Sequence, residues 1–168
     1  RVPTAVREHL ERGALGMIPD TPKPGNLLFR DVRHCVAASN RMALDAAAAG
    51  ARSLGYEVIL LGAELEGEAR EAARMLAGEV RRVAQGLAPG SRPVCLLSGG
   101  ETTVTVTGAG IGGRNQEFAL AFALEVDGLE GVALLSGGTD GVDGPTDAAG
   151  AIVDGDTAKL ARSVGLDP

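Results

Sequence analysis

The 168-residue chain is poor in lysine, histidine, cysteine and aromatic residues, and each scarcity argues against a class of function. Lys23 and Lys159 are its only lysines and its arginines are scattered, so it lacks the clustered basic face that nucleic-acid binding requires. Its two histidines and two cysteines lack the spacing of zinc ligands. No apolar run approaches the roughly 20 residues that span a bilayer, and no signal peptide is recognisable. We therefore expect no nucleic-acid or membrane partner and a cytoplasmic location.

Aromatic residues are too few to build the hydrophobic core, because the chain has three phenylalanines, one tyrosine and no tryptophan. Alanine, valine and leucine must fill it, which favours helices packed closely on a sheet. Cys35 and Cys95 both lie in apolar, strand-like runs, and we predict that both are buried as small hydrophobic side chains. The net charge of −6 indicates a well-solvated surface.

Hydrophobic periodicity predicts an α/β fold with alternating strands and helices in its first half. These elements are strands at 34–38 and 57–61 and helices at 40–54 and 67–85. A strand at 94–97 and the Thr/Val alternation of 102–107 are joined by a short turn, which predicts an antiparallel hairpin. The remaining predicted elements are a helix at 115–126, strands at 132–135 and 151–153, and a final helix from Asp156.

We therefore expect layered helices on a mixed sheet that contains parallel strand–helix–strand units and one antiparallel hairpin. Residues 1–30 are predicted to form an N-terminal helix and loop that connect to a missing domain, and residues 31–168 to form the α/β domain. The chain starts without methionine and stops abruptly at Pro168. We interpret it as the C-terminal domain of a two-domain protein, truncated at its C-terminus.

A glycine-rich loop, Gly108-Ala-Gly-Ile-Gly-Gly-Arg-Asn-Gln-Glu117, stands at the predicted start of a helix. Its glycines allow backbone amides to approach a ligand, and the helix directs free N–H groups and a positive dipole end at that ligand. Arg114 adds a guanidinium that can bind a phosphate or carboxylate bidentately. We predict that the loop holds an anion through Arg114 and these binding residues: Gly110, Gly112, Gly113, Asn115 and Gln116.

A second loop, residues 136–147, is rich in glycine and aspartate. Carboxylates on a flexible loop suit Mg²⁺, so Asp140 and Asp143 are predicted to be metal ligands and, with Arg114, catalytic residues. Thr139 and Glu101 are further binding candidates. Asx turns and helix caps are the alternative, and the better interpretation for Thr146 and Asp147. We expect the turn at 98–101 and both loops to open on one rim.

The pattern Gly108-x-Gly110-x-x-Gly113 formally matches a dinucleotide-binding fingerprint, so a nicotinamide site is one alternative. The fingerprint requires a buried parallel strand before the loop and an acidic residue at the end of the next strand. Here the preceding strand is predicted to be antiparallel, and Asp140 lies past the strand end. A tight turn with a surface arginine is the second alternative. The chain has neither a Gly-x-x-x-x-Gly-Lys phosphate loop nor a Gly-x-Ser-x-Gly elbow.

Three ordered motifs closely resemble the C-terminal MOFRL region of the class II D-glycerate 2-kinases. They are Ser98-Gly-Gly-Glu-Thr-Thr-Val-Thr-Val-Thr-Gly108, Gly112-Gly-Arg-Asn-Gln-Glu117 and Gly138-Thr-Asp-Gly-Val-Asp-Gly-Pro-Thr-Asp-Ala-Ala-Gly-Ala151. The MOFRL resemblance covers residues 92–168, and the upstream residues resemble the end of the family's preceding region. Some members of the family are labelled as hydroxypyruvate reductases.

The resemblance implies ATP- and Mg²⁺-dependent phosphorylation of D-glycerate at its 2-hydroxyl, in a cleft between a larger N-terminal domain and this one. It matches Arg114 to the family's loop arginine, and Asp140 and Asp143 to its acidic loop. Expected partners are D-glycerate, a nucleotide and the missing N-terminal domain, and the pattern is compatible with an oligomer. Because that domain is missing, we expect the isolated fragment to be inactive.

Two other functions are kept as alternatives. One is an NAD(P)H-dependent hydroxypyruvate reductase, which the glycine pattern and the family label both suggest. The other, for the chain alone, is a non-catalytic folding or ligand-binding domain.

Overall fold

The computed structural model describes residues 2–168, which divide into two compact units, the first ending at Ala37 and the second beginning at Ala38. The first unit contains helix α1 (Thr4–Ala14) and a short 3-10 helix (Leu27–Phe29). Asn26 caps the 3-10 helix by accepting a hydrogen bond from the Leu28 N–H at 3.0 Å. Neither helix has a buried residue. Within residues 2–168, no helix combines the length and the apolarity needed to cross a membrane.

The second unit contains four helices and four strands. They are α2 (Asn40–Ser53), β1 (Glu57–Leu65), α3 (Ala69–Gly86), β2 (Val94–Gly100), α4 (Arg114–Glu125), β3 (Ala133–Gly137), β4 (Gly150–Asp154) and α5 (Thr157–Ser163). β1 and β2 form a parallel two-stranded sheet, and β3 and β4 form an antiparallel one. The predicted fold class, α/β with a parallel strand–helix–strand unit and one antiparallel hairpin, is thereby confirmed, although the strands are divided between two sheets.

Helix α2 covers the parallel sheet. It begins at Asn40 because the Ser39 hydroxyl accepts a hydrogen bond from the Met42 N–H at 3.3 Å, as expected of a serine N-cap. The helix contacts both β1 and β2, and Leu44 and Ala48 are its buried residues. The predicted helix at 40–54 and its cap are therefore correct.

Helix α4 connects the layers, since it contacts α3, α5 and both strands of the antiparallel sheet. The buried core lies on the faces of α3 and α4 that meet. It consists of Ala69, Ala72, Ala73 and Ala77 from α3, Phe118, Ala119, Phe122 and Ala123 from α4, the adjoining Val126, and Val153 from β4. Alanine predominates, as the scarcity of aromatic residues predicts, and small side chains allow the two helix backbones to approach closely.

The antiparallel hairpin lies elsewhere in the chain than predicted. β2 pairs with β1, and residues 102–107 form no strand beyond an isolated parallel bridge between Thr103 and Glu68. The Thr103 N–H donates to the Gly67 carbonyl at 2.8 Å, and the Thr103 carbonyl accepts from the Ala69 N–H at 2.8 Å. The Glu68 carboxylate accepts from the Thr105 N–H at 3.1 Å and from its hydroxyl at 2.7 Å. These bonds attach the segment to the start of α3. They occupy backbone N–H and carbonyl groups of residues 103–105 that would otherwise pair with β2 in a hairpin.

Two predictions in the region before α2 are wrong. Residues 34–38 form no strand, and Cys35 is exposed instead of buried. Cys95 does lie in a strand, β2, but is only half-buried. A short apolar run at 34–38 therefore did not suffice to make a strand, because no neighbouring strand pairs with it in this unit.

Replacement of Phe122 by alanine tests the assignment of the core. Phe122 is 1% exposed, whereas Leu120 on the same helix is 45% exposed. We expect Phe122→Ala to lower the free energy of unfolding by about 3–5 kcal/mol, because it leaves a cavity between α3 and α4. Leu120→Ala, the matched control, should cost under about 1 kcal/mol. Urea titration followed by circular dichroism measures both, and equal losses would contradict the assigned burial.

Candidate functional site

The site is built around the first turn of α4, whose N-cap residue cannot cap it. Gly113 occupies the N-cap position and has no side chain to bind the free amides of the turn. A carboxylate from the second loop, that of Asp143, takes this part. Its Oδ1 accepts from the Asn115 N–H at 3.0 Å, and its Oδ2 accepts from the Gln116 N–H at 2.9 Å. The helix start is thus capped by a residue from a different loop.

The side chains of the same two residues complete the environment of Asp143. Asn115 Nδ2 donates to Oδ1 at 3.0 Å, and Gln116 Nε2 donates to Oδ2 at 3.1 Å. Asp143 is 0% exposed, so burial alone would raise its pKa. The hydrogen bonds from Asn115 and Gln116 outweigh burial and hold the pKa of this carboxyl below its ordinary value. Asp143 is therefore ionised at neutral pH and held by four donors.

Two glycines make this close approach possible. A Cβ added at Gly113 would lie 2.4 Å from Asp143 Cγ, so no other residue fits there without displacing the carboxylate. Gly144 has a φ of 61° and packs against the Gly112 carbonyl, which a Cβ would approach to 2.3 Å. Gly113, one of the glycines that the sequence predicted to allow close approach of a ligand, thus makes room for the Asp143 side chain. Gly144, on the second loop, makes room for the backbone of Gly112.

Further hydrogen bonds join the second loop and β3 to α4. Gln116 Nε2 donates to the Thr146 hydroxyl at 3.0 Å, and that hydroxyl donates to the Asp143 carbonyl at 2.7 Å. The Asp143 N–H donates to the Ala148 carbonyl at 2.8 Å, which closes the loop on itself. The Ser136 hydroxyl, near the end of β3, donates to Asn115 Oδ1 at 3.0 Å. α4, β3 and the second loop are therefore held in one arrangement.

A cavity of about 210 Å³ adjoins this network at the carboxyl ends of β2 and β3. Its polar lining comes from the end of β2, the start of α4 and the end of β3: Ser98, Gly99, Gly100, Thr102, Arg114, Asn115, Ser136 and Gly137. Ligands of α/β proteins bind at the carboxyl ends of strands. The end of β2, the start of α4 and the end of β3 thus meet at one cavity, whereas residues 108–113 and 138–147 of the two glycine-rich loops lie outside its lining.

Arg114 is the charged residue of the cavity lining. Its side chain is 37% exposed, and its Nη2 lies 3.7 Å from Glu101 Oε1, whose side chain is 79% exposed. Such a long, solvated ion pair is weak, worth at most about 1 kcal/mol. An anion that enters the cavity can therefore compete with Glu101 for the guanidinium.

Asp140 lies next to the start of α4 but in a different environment from Asp143. A Cβ at Gly138 would be 2.7 Å from Asp140 Oδ1 and 3.5 Å from Asn115 Nδ2, so the carboxylate and the amide flank the same glycine. Asp140 is exposed, and Oδ1 accepts one hydrogen bond, from the Val142 N–H at 3.3 Å. This carboxylate retains free acceptor positions that face solvent.

The predicted site residues fall into two groups. Arg114, Asn115, Gln116, Gly113 and Asp143 are in mutual contact or adjacent at the start of α4. Gly110, Gly112 and Thr139 are exposed and lie outside the cavity lining, and Glu101 reaches the site through Arg114. No group of three or more acidic, histidine or cysteine side chains within residues 2–168 could hold a metal ion.

Sequence reasoning did not single out Ser136 or Gly138. Both belong to the quoted acidic loop, and their position at the carboxyl end of β3 is the signal that could have identified them. Thr146, interpreted as a turn or cap residue, does hold the loop together through its hydroxyl. A larger groove of about 730 Å³ runs along β1 between α2 and α3, and none of the predicted site residues lines it.

The fold is that of an α/β domain, and the lining of its cavity at the carboxyl ends of β2 and β3 combines the Arg114 guanidinium with polar and apolar side chains. In a comparison with family models, residues 94–168 match the MOFRL family. The resemblance inferred from the three motifs is confirmed.

Similar proteins carry related names. A glycerate 2-kinase of Pyrococcus horikoshii is 42% identical over 99% of this chain, which covers 37% of that protein. An Agrobacterium vitis protein provisionally named as a hydroxypyruvate reductase is 46% identical over 82% of this chain and 36% of its own length. A crystal structure of a Thermotoga maritima glycerate kinase matches 76% of this chain and 31% of that protein, with 48% identity and a TM-score of 0.73. The chain thus spans about a third of the length of these relatives.

Replacement of Asp143 by asparagine tests the cap. At pH 7 we expect Asp143→Asn to lower the free energy of unfolding by about 2–3 kcal/mol, because an amide nitrogen replaces one carboxylate oxygen and cannot accept the two hydrogen bonds of that oxygen. The folded-state pKa of Asp143 is lowered, so the ionised carboxylate stabilises the folded protein. This stabilisation is complete above the unfolded-state pKa and is lost as the pH falls through the folded-state pKa. The deficit of the variant should therefore shrink below about pH 4.

Urea titrations between pH 7 and pH 2 measure this difference. The pKa values of Glu68 and Asp154 are also lowered, each chiefly by a threonine hydroxyl, but both groups are present in either protein. The difference between wild type and variant therefore isolates Asp143. Asp147→Asn, an exposed neighbour on the same loop, is the control. A deficit that is equal at all pH values, or equal in both variants, would contradict the cap.

Proposed function

We propose that this chain is part of an ATP-dependent kinase that phosphorylates D-glycerate at its 2-hydroxyl with the aid of Mg²⁺. The observation that carries the proposal is Arg114, a partly exposed guanidinium on the lining of a cavity at the carboxyl ends of β2 and β3. The names of the Pyrococcus and Thermotoga relatives support the reaction class. Because the chain spans about a third of such relatives, the activity is expected of the complete polypeptide that carries these residues.

Arg114 binds the charged groups that the reaction brings together. Phosphoryl transfer requires mainly positioning and neutralisation of charge on phosphate oxygens, and little covalent chemistry from the protein. A planar guanidinium binds phosphate or carboxylate oxygens through two parallel hydrogen bonds. Ser98, Thr102 and Ser136 add neutral hydroxyl groups to the same cavity. These groups suit a small hydroxy acid and a transferred phosphate.

Asp140 is the residue that fits a divalent cation. Mg²⁺ usually takes one or two protein carboxylates and completes its shell with water and phosphate, so a cluster of three acids is not required. Asp140 is exposed and keeps free acceptor positions, whereas the carboxylate oxygens of Asp143 are occupied by four donors. We therefore assign the cation to Asp140 alone and give Asp143 a different role. A bound Mg²⁺ would neutralise charge on the phosphates of the nucleotide.

The proposed reaction is a direct displacement at phosphorus. The 2-hydroxyl oxygen of D-glycerate forms a bond to the γ-phosphorus of ATP, and the bond from that phosphorus to the bridging oxygen breaks. The electron pair leaves with ADP, and the hydroxyl proton passes to a basic oxygen, for which Asp140 offers an exposed carboxylate. Arg114 stabilises the negative charge of the phosphate oxygens during transfer.

The geometry favours this reaction over hydride transfer from a nicotinamide dinucleotide. A dinucleotide-binding loop presents the free amides of its helix to a pyrophosphate. Here the Asn115 and Gln116 amides are bound to Asp143, and no strand of the described residues leads directly into Gly108. The glycine pattern therefore serves the contact between two loops.

Replacement of Arg114 tests the proposed role. In the complete polypeptide, Arg114→Ala should lower kcat/KM for D-glycerate by about 100-fold or more, the scale of losing one preorganised charge-stabilising donor. Arg114→Lys keeps the charge but loses the bidentate geometry, so it should fall between wild type and alanine. The rate of ADP formation in the presence of D-glycerate, followed with a coupled assay, measures both variants.

Arg162→Ala is the matched control, since Arg162 pairs with Asp127 at the opposite end of α4 from the first turn. It should leave kcat/KM unchanged. Unchanged turnover in Arg114→Ala would refute the assigned role.

The alternative function, an NADH-dependent hydroxypyruvate reductase, can be tested separately. We expect the complete polypeptide to leave the absorbance of NADH at 340 nm constant in the presence of hydroxypyruvate, while it consumes ATP in the presence of D-glycerate. NADH oxidation without ATP turnover would support the reductase and refute the kinase. Reactions without hydroxypyruvate and without D-glycerate are the controls for background NADH oxidation and background ATP hydrolysis.

A further inference from the structure

We propose that Asp143 is a positioning residue for the phosphoryl transfer: it holds the start of α4 so that Arg114 meets the ligand in a fixed direction. This inference rests on the proposed function. Asp143 itself touches neither ligand nor cation in this account, and it acts through the helix that carries Arg114.

The hydrogen bonds of Asp143 leave it no free acceptor position for a ligand. Each carboxylate oxygen has two lone pairs, and each accepts two N–H groups: Oδ1 from Asn115 and Oδ2 from Gln116, at 2.9–3.1 Å. The side chain is 0% exposed. A cation at Asp143 would have to displace N–H groups that already bind both carboxylate oxygens.

The same bonds decide which groups can face the ligand. The dipole and free amides of a helix N-terminus attract an anion, but at α4 the second and third amides already bind the carboxylate of Asp143. The Arg114 side chain, at the first position of the helix, supplies the positive charge on the cavity lining. Recognition of the charge of the anion therefore depends on the orientation of this side chain, and the two residues after it are anchored by Asp143.

Asp143 also fixes the second loop relative to Arg114. Gln116 Nε2 binds both the Asp143 carboxylate and the Thr146 hydroxyl, and Thr146 in turn binds the Asp143 carbonyl. Asp140, on the same loop, flanks Gly138 together with Asn115. Asp143 thus joins the start of α4 to the second loop, although Arg114 and Asp143 are 29 positions apart in the sequence.

A double-variant cycle in the complete polypeptide tests the proposal. Asp143→Asn should lower kcat by roughly 10–100-fold and leave KM for D-glycerate within about threefold, because a misplaced guanidinium loses transition-state stabilisation. If Asp143 acts through Arg114, the variant with both Asp143→Asn and Arg114→Ala should be slower than Arg114→Ala by no more than about twofold. Asp147→Asn on the same loop is the control and should keep wild-type turnover.

Three results would overturn the proposal. The first is an unchanged kcat in Asp143→Asn. The second is a double variant whose loss of kcat equals the product of the losses in Asp143→Asn and Arg114→Ala. The third is a large rise in the Mg²⁺ concentration needed for half-maximal activity in Asp143→Asn, since this would make Asp143 a metal ligand. Absence of kinase activity in the wild type would instead refute the proposed function, whereas an active wild type with an unaffected Asp143→Asn variant would refute the positioning role alone.

A second variant and a second measurement keep the test valid if Asp143→Asn folds poorly. Thr146→Val removes the hydroxyl that joins Gln116 to the loop but keeps the carboxylate, and it should lower kcat by roughly threefold, again without adding to Arg114→Ala. Amide hydrogen exchange in the 168-residue chain gives a readout independent of turnover. The Asn115 and Gln116 amides should exchange faster in Asp143→Asn and not in Asp147→Asn, and equal exchange in all three proteins would overturn the anchoring.

Discussion

The arrangement of the site depends on one buried carboxylate bound to the first turn of a helix. Asp143 accepts two backbone and two side-chain hydrogen bonds from Asn115 and Gln116, and Gly113 leaves the space for it. A buried charge is tolerated only where it is paired or fully hydrogen-bonded, and here donors and helix dipole together compensate it. Arg114 stands next to this bond set, the Asp143 N–H closes the second loop on the Ala148 carbonyl, and Asn115 also accepts from Ser136.

Local patterns in the sequence predicted most of the helices. The stripe of apolar residues predicted α3, the Ser39 cap predicted the start of α2, and the predicted start of α4 at Asn115 differs by one residue from Arg114. Helices depend on contacts three and four residues apart, which a single sequence displays directly. The pairing of 94–97 with 102–107 was a long-range inference from a turn and an alternation. It was wrong because both segments have partners far away in sequence: β2 pairs with β1, and Thr105 donates to Glu68.

The site was predictable in its location and less so in its chemistry. Glycines before a polar helix start indicated an anion at the amides, and an anion is indeed there, but it is a side chain of the same protein. The available signal was the N-cap glycine, which has no side chain to cap its own helix and so requires an acceptor from elsewhere. Which acceptor fills this need, among Asp140, Asp143 and Asp147, depends on how the second loop folds, and no local pattern in the sequence distinguishes them.

The contact between α3 and α4 has a consequence for how this domain can change. The fully buried residues of its α3 face are four alanines, and only glycine has a smaller side chain. Substitution at these positions can therefore only add volume or loosen the backbone, and added volume in a filled core strains it. A larger residue at one of these alanines would fit with a smaller one in place of Phe118 or Phe122 on the facing helix. At this contact, volume gained on one helix has to be given up on the other.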